Sequence, residues 1–165
     1  MAVNTEAKGR VLVITLDRPE ARNAVNGDVA SGIEAAIDKL ENDPELWVGI
    51  IQSSGTVFCA GADLKEVSAG NGRALSTERG GFAGLVKRER TKPLIAAVNG
   101  AAVAGGCEIV LSCDMVIAAE GARFGLPEVK IGLFPLLIVA SLRRLIPRRI
   151  LMEMAITGEF FDVSA

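Results

Sequence analysis

A single carboxylate stands inside the apolar run of residues 98–114, VNGAAVAGGCEIVLSCD, directly after a glycine pair, and few chain geometries accommodate that combination. Leu94 to Val98 reads as a buried β-strand and Asn99-Gly100 as a turn, after which Gly105-Gly106 opens a second apolar run over residues 107–112. The expected unit is strand, tight turn and helix. Glycines at a helix start leave the first backbone N–H groups bare and aimed outward, where they can hold an anion or a developing oxyanion. Glu108 falls on the first helical turn. On these residues alone two readings stay open, a carboxylate stabilised by the helix dipole and an acid–base group.

The other constraints are mostly exclusions. With 165 residues, half of them apolar, and a net charge of -2, the chain has enough material for one globular core, but no basic footprint for nucleic acid. One Trp, six Phe and no Tyr leave little to stack on bases. Residues 93–119 are long enough to span a bilayer, yet Asn99, Glu108, Asp114 and the glycines interrupt them, so they read as buried core and no membrane partner is expected. The N-terminal residues do not read as a charged-then-apolar leader, so no signal peptide is expected. Cys59, Cys107 and Cys113 make neither a disulfide framework nor a CxxC zinc site, which points to the cytoplasm and to no bound metal. Histidine is absent altogether, which rules out Ser-His-Asp and Cys-His catalysis. Acid–base chemistry must therefore fall to carboxylates. Neither GxGxxG after a strand nor GxxxxGK[ST] occurs.

Along the chain, Val11 to Leu16 reads as the first strand of a sheet, stopped by Asp17-Arg18-Pro19. From Gly27 the positions Val29, Ile33, Ala36, Ile37 and Leu40 keep helical spacing until Asn42-Asp43-Pro44, about four turns. Residues 47–52 form the next strand, followed by a glycine-centred loop with Asp63 where a helix should begin. Residues 73–92 are polar and read as a solvated helix face carrying Lys87, Arg88, Glu89, Arg90 and Lys92. Strands follow at residues 115–118 and 122–125, then a loop holding Glu128, and from Pro135 the pattern is helical. This alternation argues for an α/β fold, with a doubly wound sheet and a spiral of ββα units both compatible.

The segments LDRPEARNAV, FCAGADLKEV and VNGAAVAGGCEIVLSCDMVIAAEGARFGLPEVKIGLFP, in this order and at this spacing, resemble the crotonase superfamily, the enoyl-CoA hydratase/isomerase group, from about residue 11 to residue 165. The resemblance implies an α/β, crotonase-like spiral of ββα units. Residues 1–165 would form a single such domain, with most of the family's C-terminal helical region missing. It implies addition of water across the double bond of a 2-enoyl-CoA thioester, a lyase reaction in which CoA is part of the substrate and no separate cofactor is used. By position in the motifs, Glu108 and Glu128 match the catalytic pair, the first usually given water activation and the second proton transfer to the α-carbon. Ala62 and Gly105 match the oxyanion-hole donors, which need backbone close to the substrate. The CoA moiety would lie across Ala21 or Ala24 and Ala60, Asp63 and Leu64, with Arg18, Arg22 and Lys65 in reach of phosphates.

Two departures from the family pattern bear on function. After GLFP the family usually has a glycine-rich GAGGTQRL, whereas this chain has LLIVASLRRL, a change on the acyl side of the pocket. Family members also continue for some 90 residues past the TGE motif at Thr157–Glu159 and supply trimer-forming helices there, so the apolar stretch of residues 136–156 is expected to lack its usual cover and to favour a homo-oligomer, a trimer or hexamer in the family. The alternatives to a hydratase are an enoyl-CoA isomerase or other crotonase reaction, disfavoured by the presence of both glutamates, and a catalytically silent acyl-CoA-binding fragment.

Overall fold

The computed structural model describes residues 1–135, 138–139, 142–143 and 145–163. Its first strands, β1 (Val3–Lys8) and β2 (Val11–Leu16), form an antiparallel hairpin turned at Gly9, whose φ of +59° suits glycine. The strand expected to open the sheet is thus its second. β1, VNTEAK, lacks an apolar alternation because it is an edge strand with only Val3 buried. Helix α1 (Gly27–Asn42) starts where Asn26 accepts the Val29 N–H at 3.0 Å and buries Val29, Ile33, Ala36, Ile37 and Leu40, the stripe read from the sequence.

From there the strands come in pairs split between two sheets. β3 (Val48–Ser53) joins the large sheet and β4 (Val57–Cys59) the small one, before the short helix α2 (Leu64–Ser68). After a small hairpin of β5 (Ser76–Thr77) and β6 (Gly81–Phe82), β7 (Leu94–Val98) returns to the large sheet, β8 (Ala101–Val103) to the small one, and helix α3 (Gly105–Leu111) follows. β9 (Met115–Ala118) and β10 (Arg123–Gly125) repeat the split and lead into a 3-10 turn, Pro127–Ile131. Strand, strand, helix repeats along parallel neighbours, β2-β3-β7-β9 in one sheet and β4-β8-β10 in the other, which is a spiral of ββα units. Helix α4 (Arg148–Thr157) and β11 (Phe160–Asp162), antiparallel to β10, close the small sheet.

The large sheet turns Leu12, Ile14, Leu16, Ile51, Leu94, Ala96 and Val98 toward α1, and these form the main core. A second cluster gathers Cys107, Leu126, Leu142, Leu151, Met154 and Ala155. Among the described residues no helix is long and apolar enough to cross a membrane.

Three expectations are corrected. Residues 73–92 hold no α-helix; they form a 3-10 turn, the β5–β6 hairpin and tight turns, because Gly80 and Gly84 occur where backbones nearly touch, the Gly80 α-carbon facing the Gly84 carbonyl and Gly84 the Ala30 carbonyl, and Gly81 turns the chain at φ +65°. The run from Asn99 to Gly105 is not a bare turn, since β8 intervenes. Trp47 lies outside β3 and is 60% exposed, its ring covered on one face by the Arg10 guanidinium 4.2 Å away. Positions 136, 137, 140, 141 and 144 of the expected C-terminal apolar stretch lie outside the described residues.

Helix α3 seats on β4 because Gly106 has no side chain: a Cβ there would fall 2.1 Å from the Cys59 carbonyl oxygen, a backbone atom that cannot step aside. Gly106→Ala should therefore cost about 1–3 kcal/mol or more of stability. Gly121→Ala, where nothing lies within 4 Å of the added methyl, should stay within about 0.5 kcal/mol. Urea unfolding of the two variants beside the parent chain checks the contrast.

Candidate active site

The loop leaving β2 is shaped by one buried amide. Arg22 and Asn23 both adopt left-handed backbone, φ +52° and +53°, a conformation Asn tolerates better than most residues. Asn23 is 1% exposed, and its side chain makes the loop self-supporting. Its Oδ1 accepts the Arg18 N–H at 2.8 Å, while Nδ2 donates to the carbonyls of Ser54 and Val57, each at 2.8 Å. The Arg18 guanidinium donates to the Ala24 carbonyl at 2.7 Å and, through both terminal nitrogens, to Asp63 Oδ2 at 3.2 Å. Asp63 Oδ1 in turn accepts the Lys65 N–H at 3.1 Å and caps α2.

Val25 and Ala62 form an isolated parallel bridge in which the Val25 N–H donates to the Gly61 carbonyl at 2.7 Å and the Asp63 N–H donates to the Val25 carbonyl at 2.9 Å. In such a bridge the middle residue's own polar groups point the other way. The Ala62 N–H therefore faces away from Val25. Gly61, φ +91°, packs against the second turn so closely that a Cβ would lie 3.0 Å from the Gly105 nitrogen and 2.8 Å from the Ala104 Cβ. Ala104, φ +53°, offers its carbonyl to the N–H groups of Cys107 and Glu108 at 3.0 and 3.2 Å, which starts α3. The N–H groups of Ala62 and Gly105 find no acceptor among the described residues. Two neighbouring turns thus each present one bare amide.

Glu108 lies on the first turn of α3 and is 6% exposed. Glu128 lies in the 3-10 turn after β10 and is half-buried, with Oε2 sealed from solvent and without a hydrogen-bond partner among the described residues. Burial holds its carboxyl above the ordinary value of 4.5. The thiol of Cys107 connects the two: its own burial is the main cause of its rise to about 12, and the charges of Glu128 and Glu108 push in the same direction. The charges of both carboxylates, on different elements, thus reach one buried sulfur.

The remaining residues singled out in the sequence fall along the Ala62 side. Ala24 is buried, Ala21 and Ala60 are half-buried, and Leu64 and Lys65 are exposed at the start of α2. Arg22 is exposed, and its carbonyl accepts the Ala60 N–H at 3.1 Å. Together with Pro19, Glu20, Asn23, Ser54, Thr56 and Val57 it lines a cleft of about 270 Å³. Arg18 and Asp63 form an ion pair at 3.2 Å, with side chains 20% and 12% exposed, so both are engaged within the loop. Phe82 escaped notice in the sequence. Its ring lies where a Cβ on Gly105 would project, 2.4 to 2.5 Å from that point, and only the glycine-rich GGFAG context hints at so close a fit.

Two glycine turns in contact, each with a free amide, and two carboxylates brought beside one thiol by a ββα spiral define a class. The chain belongs to the enoyl-CoA hydratase/isomerase family, whose model matches residues 6–164. It is 42% identical over 161 residues to a mevalonyl-coenzyme A hydratase of Aspergillus fumigatus, covering 93% of this chain and 58% of that protein. A carnitinyl-CoA dehydratase of Salmonella enteritidis is 43% identical over 153 residues, covering 91% and 58%. Among solved structures, an enoyl-CoA hydratase from Mycobacterium marinum superposes with a TM-score of 0.90 at 41% identity, covering 99% of this chain and 64% of that one. A carnitinyl-CoA hydratase from Mycobacterium avium gives 0.91 at 46% identity, covering 99% and 64%. The chain spans a little under two thirds of the length of these relatives.

The environment of Glu128 carries a pH signature. Because burial favours its protonated form in the folded chain, it contributes stability that is fully present below 4.5 and is lost as pH rises through its higher folded value. Glu128→Gln cannot ionise. Its stability relative to the parent should therefore be flat below about pH 4 and grow toward neutrality, as urea unfolding across a pH series would show; a difference independent of pH would mean the carboxyl is not raised.

Proposed function

We propose that this site adds water across the double bond of a 2-enoyl-CoA thioester. The observation that carries the reading is a Glu128 oxygen sealed from solvent and without a partner among the described residues, in a chain that also buries Glu108 three residues after the bare Gly105 amide and has no histidine. Glu108 as carboxylate takes a proton from water while the water oxygen bonds to the β-carbon. The π pair moves toward the thioester, and the charge that develops on its oxygen is met by the N–H groups of Ala62 and Gly105. Glu128, whose acid form burial favours, gives its proton to the α-carbon, the oxyanion collapses to the carbonyl, and one water has been added. No electrons leave the substrate and water, so the reaction as written calls for no cofactor beyond the CoA already on the substrate. Arg22, Ala24, Ala60, Leu64 and Lys65 would flank the CoA portion. Asp63, together with Arg18, would hold the loop beneath it. The double-bond isomerase reading is the weaker one, because a proton shuttle between two carbons needs one carboxyl group where this site has two.

Glu108→Gln and Glu128→Gln should each lower hydration of crotonyl-CoA by about 10²–10⁴-fold and leave thioester affinity within a few-fold. Following loss of the enoyl-thioester absorbance, with binding measured by calorimetry, decides it. Near-normal turnover in either variant would remove that glutamate from the mechanism, and an inactive parent chain that still binds the thioester would make this an acyl-CoA-binding unit.

The same reading includes a homo-oligomer and a cytoplasmic setting. The cytoplasm suits three free thiols, of which Cys59 and Cys107 are buried. Self-association is supported by apolar side chains left open around the 3-10 turn that carries Glu128, with Ile131, Leu133 and Phe134 exposed by 60%, 52% and 62%. Sedimentation of the purified chain should give a defined oligomer at micromolar concentration; a compact monomer would show that this face needs no second copy.

A further inference from the structure

We infer that Arg18 and Asp63 are positioning residues for the Ala62 amide, a closed clasp that aims one oxyanion donor without touching substrate; this rests on the hydratase reading above. The clasp can be traced bond by bond. Arg18 holds the Ala24 carbonyl at 2.7 Å and Asp63 Oδ2 at 3.2 Å. Val25, next to Ala24, holds Gly61 and Asp63 on either side of Ala62 at 2.7 and 2.9 Å. The ring Arg18, Ala24, Val25, Gly61 to Asp63 and back to Arg18 thus encloses Ala62 and binds the polar groups flanking it, while leaving its N–H free.

Two features make this a device for aim rather than only for stability. A forked, planar guanidinium can satisfy the Ala24 carbonyl and the Asp63 carboxylate together, whereas an ammonium satisfies such divergent acceptors as a point charge without fixed angles. The pair is also partly shielded, with side chains 20% and 12% exposed, so loss of either partner leaves the other charge without its counterion at a place the loop cannot easily rehydrate. Asn23 fixes the base of the ring by joining Arg18 to the carbonyls of Ser54 and Val57, just before β4 delivers the chain to Gly61. The donor is held from both ends. A donor pre-aimed in this way costs no reorganisation as charge develops, so its misalignment falls on the transition state more than on the ground state.

The test combines kinetics with hydrogen exchange on the full chain. Arg18→Gln and Asp63→Asn should each lower kcat for crotonyl-CoA at least tenfold with KM within about threefold, and the double variant should be no slower than the worse single one, since both remove one interaction. Arg18→Lys should recover part of kcat. In the free protein, amides of residues 61–65 should exchange faster in Arg18→Gln, with those of β2, β3 and α1 unchanged. A rise in KM at constant kcat would overturn the inference in favour of direct ligand contact. Unchanged exchange at residues 61–65, or acceleration spread equally through β2, β3 and α1, would overturn it in favour of a merely structural pair. If the parent chain does not hydrate the thioester, the hydratase reading fails by itself and the exchange pattern still decides whether the clasp holds the Ala62 turn.

Discussion

Backbone meeting backbone without side chains between is the contact on which the rest of the molecule depends. Gly100 passes so near Thr56 that a Cβ would fall 2.0 Å from its carbonyl oxygen, and Gly106 does the same at Cys59. These two contacts dock the second ββα unit onto the first. Between them β4 and β8 pair as parallel strands with an irregularity, Val57 opposite Ala101 but Cys59 opposite Ala102, so β4 carries one extra residue against its partner. A bulge of that kind turns the strand end. Here it swings residues 60–62 against the start of α3, and Gly61 comes to rest on Gly105. The two turns that carry the bare amides are neighbours because Gly61 has no side chain to hold them apart.

At Glu128 and Cys107 charge is governed by burial. In the hydratase reading, a chain without histidine would divide acid and base duties between two carboxylates in unlike surroundings. Glu128 has an oxygen with neither solvent nor donor, which favours the acid form, and it stands on a 3-10 turn that ends at Gly132, φ +74°. Glu108 grows from a helix whose first turn is anchored on the Ala104 carbonyl, with the positive end of the peptide dipoles beside it. Cys107, between them in the chain's interior, remains a thiol for the same reason, since burial and two nearby carboxylates all oppose its ionisation.

Much of this was legible before any coordinates, and what was missed shares a physical cause. Helix α1 and strands β2 and β7 announce themselves by periodicity because one face of each meets the core, whereas β9 is legible only as an apolar run and leaves Met115, Val116 and Ile117 exposed. Glu108, Glu128, Ala62 and Gly105 could be named from motif order, because close turns demand small residues at fixed places. The strands that went unread, β1, β4, β5, β6, β8 and β11, are two to six residues long and draw their stability from ladder bonds and docking rather than from an apolar stripe. Residues 73–92 misled because their charges imitate a solvated helix face. In the structure Arg79 and Arg88 instead close on Asp38 of α1, and Lys92 caps carbonyls at its end. The role of Arg18 was equally invisible: an arginine bound for a phosphate and one bound for Asp63 look the same in one dimension.

The position of Glu108 follows from a division of labour along α3. Ile109 and Val110 belong to the main core and Cys107 to the second cluster, so successive residues of one short helix serve two different apolar bodies. Glu108 lies on the turn between them, shielded from water by both yet belonging to neither. Leu126 anchors the approach to Glu128 in the second cluster in the same way, while Phe124, two residues earlier on β10, packs against both. Both carboxylates therefore stand on segments that pass between the two cores, Glu108 on α3 and Glu128 just after Leu126. Packing that is ordinary on either side leaves, where the two bodies adjoin, room for polar groups partly withdrawn from water, which is what the proposed proton transfers would need.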